Sequence, residues 1–174
     1  MADKVLIVID AQNDFVTGCL GTEKAVKALE NIKKELKKEY DLVGFTYDCH
    51  SEASYLNSQE GTKLPVPHCI YGTEGFELAI PLDKFRKRKF MIYKDSFGYS
   101  EWEGTLKEKV VGDIESITLV GFCTDICVIS NALIIKACFP EVPVKVIAKC
   151  CSGSTPELHK MALKVMAANQ IEII

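Results

Sequence analysis

The sequence lacks the features that mark several classes of protein. None of its apolar runs approaches the roughly 20 residues that a membrane-spanning helix needs. The apolar stretch 5–9 is too short for a signal peptide and is followed by Asp10 rather than by a small-residue cleavage site. There is no basic excess, because 21 Lys and Arg against 24 Asp and Glu give a net charge of −3. We therefore expect a cytoplasmic protein with neither a membrane nor a nucleic-acid partner.

Paired cysteine spacings are also missing, although the chain has eight cysteines. They stand at positions 19, 49, 69, 123, 127, 138, 150 and 151, which fits neither a disulfide framework nor a zinc finger. Most should be buried as small hydrophobic side chains. With 174 residues, of which 48% are hydrophobic, the chain is long enough to build one domain, residues 1–174, without such cross-links.

Short apolar runs alternate with longer amphipathic segments, a pattern typical of an α/β fold in which helices cover both faces of a parallel sheet. Six strands are predicted at residues 5–9, 41–47, 90–93, 116–121, 143–148 and 171–174. Helices are predicted at about 22–40, 101–110, 125–138 and 156–168. The segment 48–82 has little periodicity, and a connection of this length in a compact domain is usually functional.

Reactive side chains follow four of these strands. In chain order they are Asp10, the segment 48–50, Lys94 and Cys127. Ligands of open parallel sheets bind beyond the carboxyl ends of the strands. We therefore expect a carboxylate, a carboxylate–imidazole pair, an ammonium group and a thiol to meet at one edge of the sheet.

Cys127 is the best candidate for a nucleophile. Thr124 is expected to cap the following helix and to place Cys127 in its first turn, where the helix dipole favours a thiolate. Lys94 would lower the pKa of the thiol further, and Asp10 would take its proton and later pass it to a leaving group. Taken singly, the three residues also fit a buried cysteine, a surface lysine and a loop carboxylate.

A second group of residues is suited to a metal ion. Asp48 and His50 lie two residues apart at a strand end, His68 follows after Pro65 and Pro67, and Glu60 lies between the two histidines. Two imidazoles and a carboxylate are sufficient ligands for zinc, manganese or iron, with Glu60 as a possible fourth. The alternative is a turn cap with a hydrogen-bonded histidine and a solvated glutamate. The third histidine, His159, is expected to be structural.

Together these residues form motifs that resemble the isochorismatase-like cysteine hydrolases, and within them the metal-dependent nicotinamidases. The similarity extends over nearly the whole chain. The motifs are 9–15 (IDAQNDF), 46–50 (TYDCH), 67–69 (PHC), 72–75 (GTEG), Lys94 and 121–128 (GFCTDICV).

The resemblance implies a three-layer α/β/α fold whose six parallel strands lie in the order 3-2-1-4-5-6. It also implies a catalytic triad of Asp10, Lys94 and Cys127. A cis peptide between Phe122 and Cys123 would let the backbone amides of Cys123 and Cys127 form an oxyanion hole.

The same resemblance assigns Asp48, His50 and His68 as ligands of one divalent metal ion, with Glu60 as an extra ligand. Zinc is the expected ion, and manganese and iron are alternatives. In nicotinamidases the metal receives the pyridine nitrogen of the substrate.

The implied activity is hydrolysis of nicotinamide to nicotinate and ammonia through a thioester on Cys127. Phe15 should stack on the substrate ring, with Tyr99 and Trp102 as further pocket residues. A homo-oligomer is expected, because many relatives associate through surface helices.

Two other functions stay open. Pro65 and Cys49 depart from the nicotinamidase pattern in the pocket wall, which leaves room for another small amide or a carbamoyl compound. Cys123, close to Cys127, also allows a noncatalytic protein that binds metal or senses redox state through its thiols.

Overall fold

The computed structural model describes residues 2–83 and 85–174 and contains a six-stranded parallel sheet. The strand order is β3-β2-β1-β4-β5-β6, as the resemblance implied. The strands are β1 (Ala2–Ile9), β2 (Leu42–Asp48), β3 (Arg88–Lys94), β4 (Asp113–Phe122), β5 (Val144–Ser152) and β6 (Glu172–Ile173). Because β1 lies between β2 and β4, the strand order reverses at β1, where open α/β sheets bind their ligands.

Six α-helices accompany the sheet within the described residues. They are α1 (Asn13–Val16), α2 (Glu23–Glu35), α3 (Gln59–Lys63), α4 (Trp102–Lys109), α5 (Ile129–Cys138) and α6 (Pro156–Ala168). A π-helical turn, Thr124–Val128, precedes α5, and short 3₁₀ turns occupy Tyr55–Asn57 and Glu74–Phe76. In the described part of the chain, no helix combines the length and apolarity that crossing a bilayer requires.

Strand β1 shows why the sheet is covered on both faces. Its residues Val5, Leu6, Ile7, Val8 and Ile9 have no exposed surface. Alternate residues of the strand enter different core clusters: Leu6 and Val8 pack with α2, whereas the other three pack with α4 and α5. The continuous apolar run therefore reflects burial of a central parallel strand on both sides.

Several predicted boundaries need correction. Helix α2 ends at Glu35 rather than near Tyr40, because the chain turns after Leu36 and the Tyr40 hydroxyl donates back to the buried Glu35 carboxylate. Strands β4 and β5 are longer than predicted, and β6 is shorter. Helix α6 matches its prediction of 156–168, since Thr155 accepts a hydrogen bond from the Leu158 N–H at its start.

Candidate active site

Asp10, Lys94 and Cys127 meet at the carboxyl end of the sheet. Asp10 directly follows β1, Lys94 ends β3, and Cys127 lies in the π-helical turn after β4. Lys94 Nζ lies 2.6 Å from Asp10 Oδ2 and 3.7 Å from Cys127 Sγ. All three residues are buried, so a carboxylate, an ammonium group and a thiol contact one another away from water.

The position of Asp10 is fixed by the strands on either side of β1. From β2, the Thr46 hydroxyl donates to Asp10 Oδ1 at 2.6 Å and accepts the Asp10 N–H at 3.1 Å. On β4, Gly121 lies so close that a Cβ atom there would stand 2.0 Å from the Ile9 carbonyl oxygen. Its φ of +127° is also one that side chains rarely adopt. Glycine at 121 therefore lets β4 place the turn Thr124–Val128, called the thiol turn below, next to Asp10.

The thiol turn differs from the ordinary helix start that the sequence predicted. The Phe122–Cys123 peptide bond is cis, as the resemblance implied, but the Val128 N–H donates to the Cys123 carbonyl at 3.0 Å, five residues back. Thr124 does not cap the helix: its hydroxyl lies 2.8 Å from Nδ1 of His159, on α6. The expected cap is therefore wrong, because a tertiary contact takes the hydroxyl.

Burial sets the direction of the pKa shift for Asp10 and Cys127, whereas neighbouring charges set it for Lys94. Burial raises the pKa of the Asp10 carboxyl, against the opposing effect of the Lys94 ammonium. Burial lowers the pKa of Lys94, but the Asp10 and Cys127 charges raise it more. The pKa of the Cys127 thiol is raised well above its usual value, first by burial and then by the Asp10 carboxylate. Lys94 lowers the thiol pKa, as expected, but burial and the Asp10 carboxylate outweigh it, so the expected net lowering is wrong. The proton stays on sulfur beside a carboxyl group whose own proton affinity is raised.

A second cluster contains the four residues singled out as metal ligands. Asp48 Oδ2 lies 3.0 Å from His50 Nε2 and 3.3 Å from His68 Nε2. Glu60, in the first turn of α3, places Oε1 3.4 Å from His68 Nε2 and Oε2 3.7 Å from His50 Nε2. One ligand atom from each residue lies within 4.8 Å of all the others.

The chemistry of this cluster fits a divalent cation. The Val66 carbonyl lies 2.9 Å from His68 Nδ1, which leaves Nε2 directed at the two carboxylates. Although burial lowers the pKa of His68, Asp48 and Glu60 raise it to about 10, so the cluster attracts positive charge. Asp48 is buried, and its Oδ1 has no hydrogen-bond partner among the described residues. Two imidazoles, two carboxylates and an unpaired buried oxygen are a donor set typical of zinc, manganese or iron.

A cavity of about 790 Å³ joins the two clusters, a size within the roughly 300–1,000 Å³ of small-molecule sites. Its lining includes all four residues of the metal-ligand cluster and both Cys123 and Cys127. The apolar part of the lining consists of Phe15, Leu20, Ala25, Leu64, Phe97, Phe122 and Ile126. Phe15 also packs edge-on against the His68 ring, with 5.5 Å between the ring centroids.

Tyr99 and Trp102 do not line this cavity, which corrects their predicted role. Trp102 has no exposed surface, and its indole N–H donates to Asn131 Oδ1 at 2.8 Å. Tyr99 packs against Trp102, with 5.4 Å between ring centroids. Both aromatic rings belong to the core beneath α5, and Phe97 contributes the aromatic wall instead.

Asn131 organises this region and was not identified from the sequence. Its Nδ2 donates to the carbonyls of Cys127 at 2.8 Å and Phe97 at 2.9 Å, and its Oδ1 also accepts the Tyr99 N–H at 3.0 Å. One buried amide side chain therefore connects the thiol turn to the cavity wall. A signal was present, since Asn131 is a polar residue in a largely apolar helical run, four positions after Cys127.

Comparison with known proteins connects this chain to one family. The family model for the isochorismatase domain matches residues 4–174. An uncharacterized isochorismatase family protein of Bacillus subtilis is 34% identical over 145 residues, covering 75% of this chain and 76% of that protein. The nicotinamidase of Schizosaccharomyces pombe is 28% identical over 205 residues, covering 97% and 91%. The crystal structure of a pyrazinamidase/nicotinamidase from Streptococcus mutans superposes with a TM-score of 0.81 at 30% identity, covering 98% and 99% of the two chains.

Proposed function

This chain belongs to the isochorismatase family, and from that membership we propose that it hydrolyses nicotinamide to nicotinate and ammonia. The observation that carries the proposal is the buried contact set of Asp10, Lys94 and Cys127, in which Cys127 lines the same cavity as the metal-ligand cluster. The nicotinamidases among the similar proteins support the choice of substrate.

In the proposed reaction Asp10 first takes the proton of the Cys127 thiol, and the Lys94 ammonium, 3.7 Å from sulfur, stabilises the thiolate. The thiolate attacks the amide carbon, and the backbone N–H groups of Cys123 and Cys127 bind the oxyanion. Asp10 then gives its proton to the amide nitrogen, the C–N bond breaks, and ammonia leaves a thioester. A water molecule attacks the thioester and gives a proton to Asp10, the C–S bond breaks, and Asp10 returns that proton to the sulfur, which leaves the acid and the regenerated thiol.

Asp48, His50, Glu60 and His68 are the residues that would hold the metal ion, with zinc as the expected ion and manganese or iron as alternatives. When bound, the ion supplies a Lewis acid that accepts the lone pair of a ring nitrogen and so anchors the substrate. Phe15 lies against His68 on the cavity wall, where an aromatic face packs on a flat ring. Holding the ring fixes the distance from its carboxamide to the thiol.

A second candidate substrate is another small amide or a carbamoyl compound. The cavity of about 790 Å³ favours it, because nicotinamide has only nine non-hydrogen atoms and pockets of this size hold drug-sized ligands. A noncatalytic redox role is disfavoured. Burial, and then Asp125, raises the pKa of Cys123 to about 12, which keeps that thiol protonated.

The test is ammonia release from nicotinamide by the purified protein, with Cys127→Ala and Cys138→Ala as a matched pair of thiol deletions. Chelator-treated protein is then supplied with zinc, manganese or iron. We expect the wild-type protein and Cys138→Ala to release ammonia and Cys127→Ala to release none. Chelator treatment should abolish turnover of the wild-type protein, and added metal should restore it. Full activity in Cys127→Ala would exclude the thiol mechanism. A metal-binding wild-type protein without turnover would exclude nicotinamide and leave the other amides.

A further inference from the structure

The turn that contains the nucleophile is tied to α6, which contributes no residue to the proposed chemistry. Thr124, inside this turn, has no exposed surface, and its hydroxyl lies 2.8 Å from Nδ1 of His159 on α6. The turn has no side-chain hydrogen bond at its own N-terminal cap, Cys123. The contact with His159 therefore takes the place that a local cap would have.

A second tie lies next to the first. Asp125 accepts the Ser154 N–H at 2.8 Å through Oδ1 and the Ser154 hydroxyl through Oδ2. Between them, a Cβ atom on Gly153 would stand 2.7 Å from Asp125 Oδ1 and 2.8 Å from His159 Cβ. The segment 152–154, which also lines the cavity, is thus packed between α6 and the thiol turn.

The charges around His159 favour a neutral imidazole. Burial lowers its pKa, and Lys24 and Lys160 lower it further, whereas Asp125 opposes them. A neutral ring pairs with the Thr124 hydroxyl at neutral pH through one nitrogen that donates or accepts. The contact therefore needs no change of protonation during a reaction cycle.

We propose that His159 and Asp125 are positioning residues, which hold the segment 123–127 in the one arrangement that stabilises the oxyanion. An oxyanion hole works because its donors are fixed before charge develops, so small displacements of the Cys123 and Cys127 N–H groups weaken it. His159 acts on this segment through Thr124, and Asp125 acts through Ser154. This inference rests on the proposed amidase function.

The first test removes the Thr124 hydroxyl while keeping the shape of the side chain. In Thr124→Val we expect kcat to fall about 10-fold or more, a partial loss of the ~10²–10³ that a whole oxyanion donor supplies, with KM changed less than about threefold. Thr124→Ser should restore activity. His159→Phe should lower kcat as much as Thr124→Val does. His159→Asn keeps a polar atom near the position of Nδ1 and should therefore retain kcat. The double variant Thr124→Val/His159→Phe should lose no more than either single variant, since both remove one bond.

The second test separates positioning from stability. The Cys127 thiol adds to the aldehyde carbon of pyridine-3-carbaldehyde and forms a tetrahedral oxyanion, whereas it does not add to nicotinate. We expect Thr124→Val to weaken binding of the aldehyde by the same factor by which kcat falls, and to leave the affinity for nicotinate unchanged. Thr155→Ala removes the α6 cap without touching Thr124 and should keep kcat per active site. Equal losses for aldehyde and nicotinate, or unchanged kcat per titrated thiol in Thr124→Val, would overturn the proposal.

A readout without substrate keeps this test apart from that of the proposed function. If the wild-type protein releases no ammonia from nicotinamide, the amidase proposal fails by that result alone. The rate at which iodoacetamide alkylates Cys127 still reports whether the turn places the thiol beside Lys94. We expect Thr124→Val to lower this rate at least fivefold and Thr124→Ser to keep it. Equal rates in all three proteins would refute the positioning role.

Discussion

Replacing Asp10 by asparagine should make Cys127 more reactive and the enzyme less active. The substitution removes the carboxylate that contacts Lys94 at 2.6 Å and that raises the pKa of the thiol. Thr46 can still donate its hydroxyl to the amide oxygen at position 10, so the local geometry has a partner. With Asp10 neutral, Lys94 Nζ keeps its contacts with the sulfur and with the Ser96 carbonyl, which lies 3.1 Å away.

In the wild-type protein the Asp10 carboxylate offsets the attraction between the Lys94 ammonium and the thiolate, and the substitution restores part of that attraction, whose size follows from the distance between Lys94 Nζ and Cys127 Sγ. At 3.7 Å and an effective dielectric constant of about 20, an ammonium–thiolate pair attracts by about 4 kcal/mol. Even a third of that attraction lowers the thiol pKa by about one unit. The thiolate fraction at pH 7 then rises about 10-fold and its intrinsic nucleophilicity falls about threefold, so alkylation accelerates about threefold per unit. Turnover should fall ~10²–10⁴-fold, the usual contribution of a general base.

The assay compares iodoacetamide alkylation of Cys127, read by mass spectrometry, with ammonia release in the same preparation. Asp113→Asn, an exposed carboxylate at the other end of the sheet, is the charge-matched control and should change neither rate. Asp10→Asn should also lose ~3–5 kcal/mol of stability, because the buried Lys94 ammonium loses its carboxylate partner, so folding is checked by urea denaturation. Slower alkylation would refute the electrostatic reasoning, and retention of more than about a tenth of the turnover would refute the role of Asp10 as base.

Three further predictions concern the structure around the site. Asn131→Leu should destabilise the protein by about 3 kcal/mol or more in urea, because it leaves several buried donors and acceptors unpaired; a loss below about 1 kcal/mol would contradict the network. In metal-free protein, pairing raises the pKa of His68 from 6.5 to about 10, so its stabilisation is complete below pH 6.5 and is lost as the pH rises toward 10. His68→Gln should flatten that loss in urea titrations, and an unchanged slope would exclude His68 as its source. Gly121→Ala should lower both the melting temperature and turnover, since its Cβ would meet the Ile9 carbonyl at 2.0 Å; wild-type values of both would refute the close approach.

The sheet could be predicted from the sequence because its strands are continuous apolar runs, and the strand order followed from the motifs. Helix α6 was predicted at its full length since Thr155 and Pro156 mark its start locally. The four metal-ligand candidates and the triad residues also came together as expected, because the ends of parallel strands share one edge.

The errors at the site share one physical origin, which is the influence of residues far away in the chain. Thr124 has the local signature of a helix cap, but His159, 35 residues on, takes its hydroxyl. Trp102 lies in a segment that resembles a pocket turn, yet Asn131, 29 residues away, draws its indole into the core. The thiol pKa was misjudged for the same reason, since burial is a property of the whole fold. Local signals could not reveal these contacts.

The place of Lys94 makes the chemistry more fragile than the fold. Strand β3 is at the edge of the sheet and, among the described strands, pairs with β2 alone, so its opening disrupts one ladder and leaves β1, β2, β4 and β5 paired. Such fraying withdraws the ammonium from the thiol while the ligands on the neighbouring segment stay in place. Activity should therefore disappear at a lower urea concentration than the far-ultraviolet circular dichroism signal. The catalytic rate then reports the local stability of the pairing between β3 and β2.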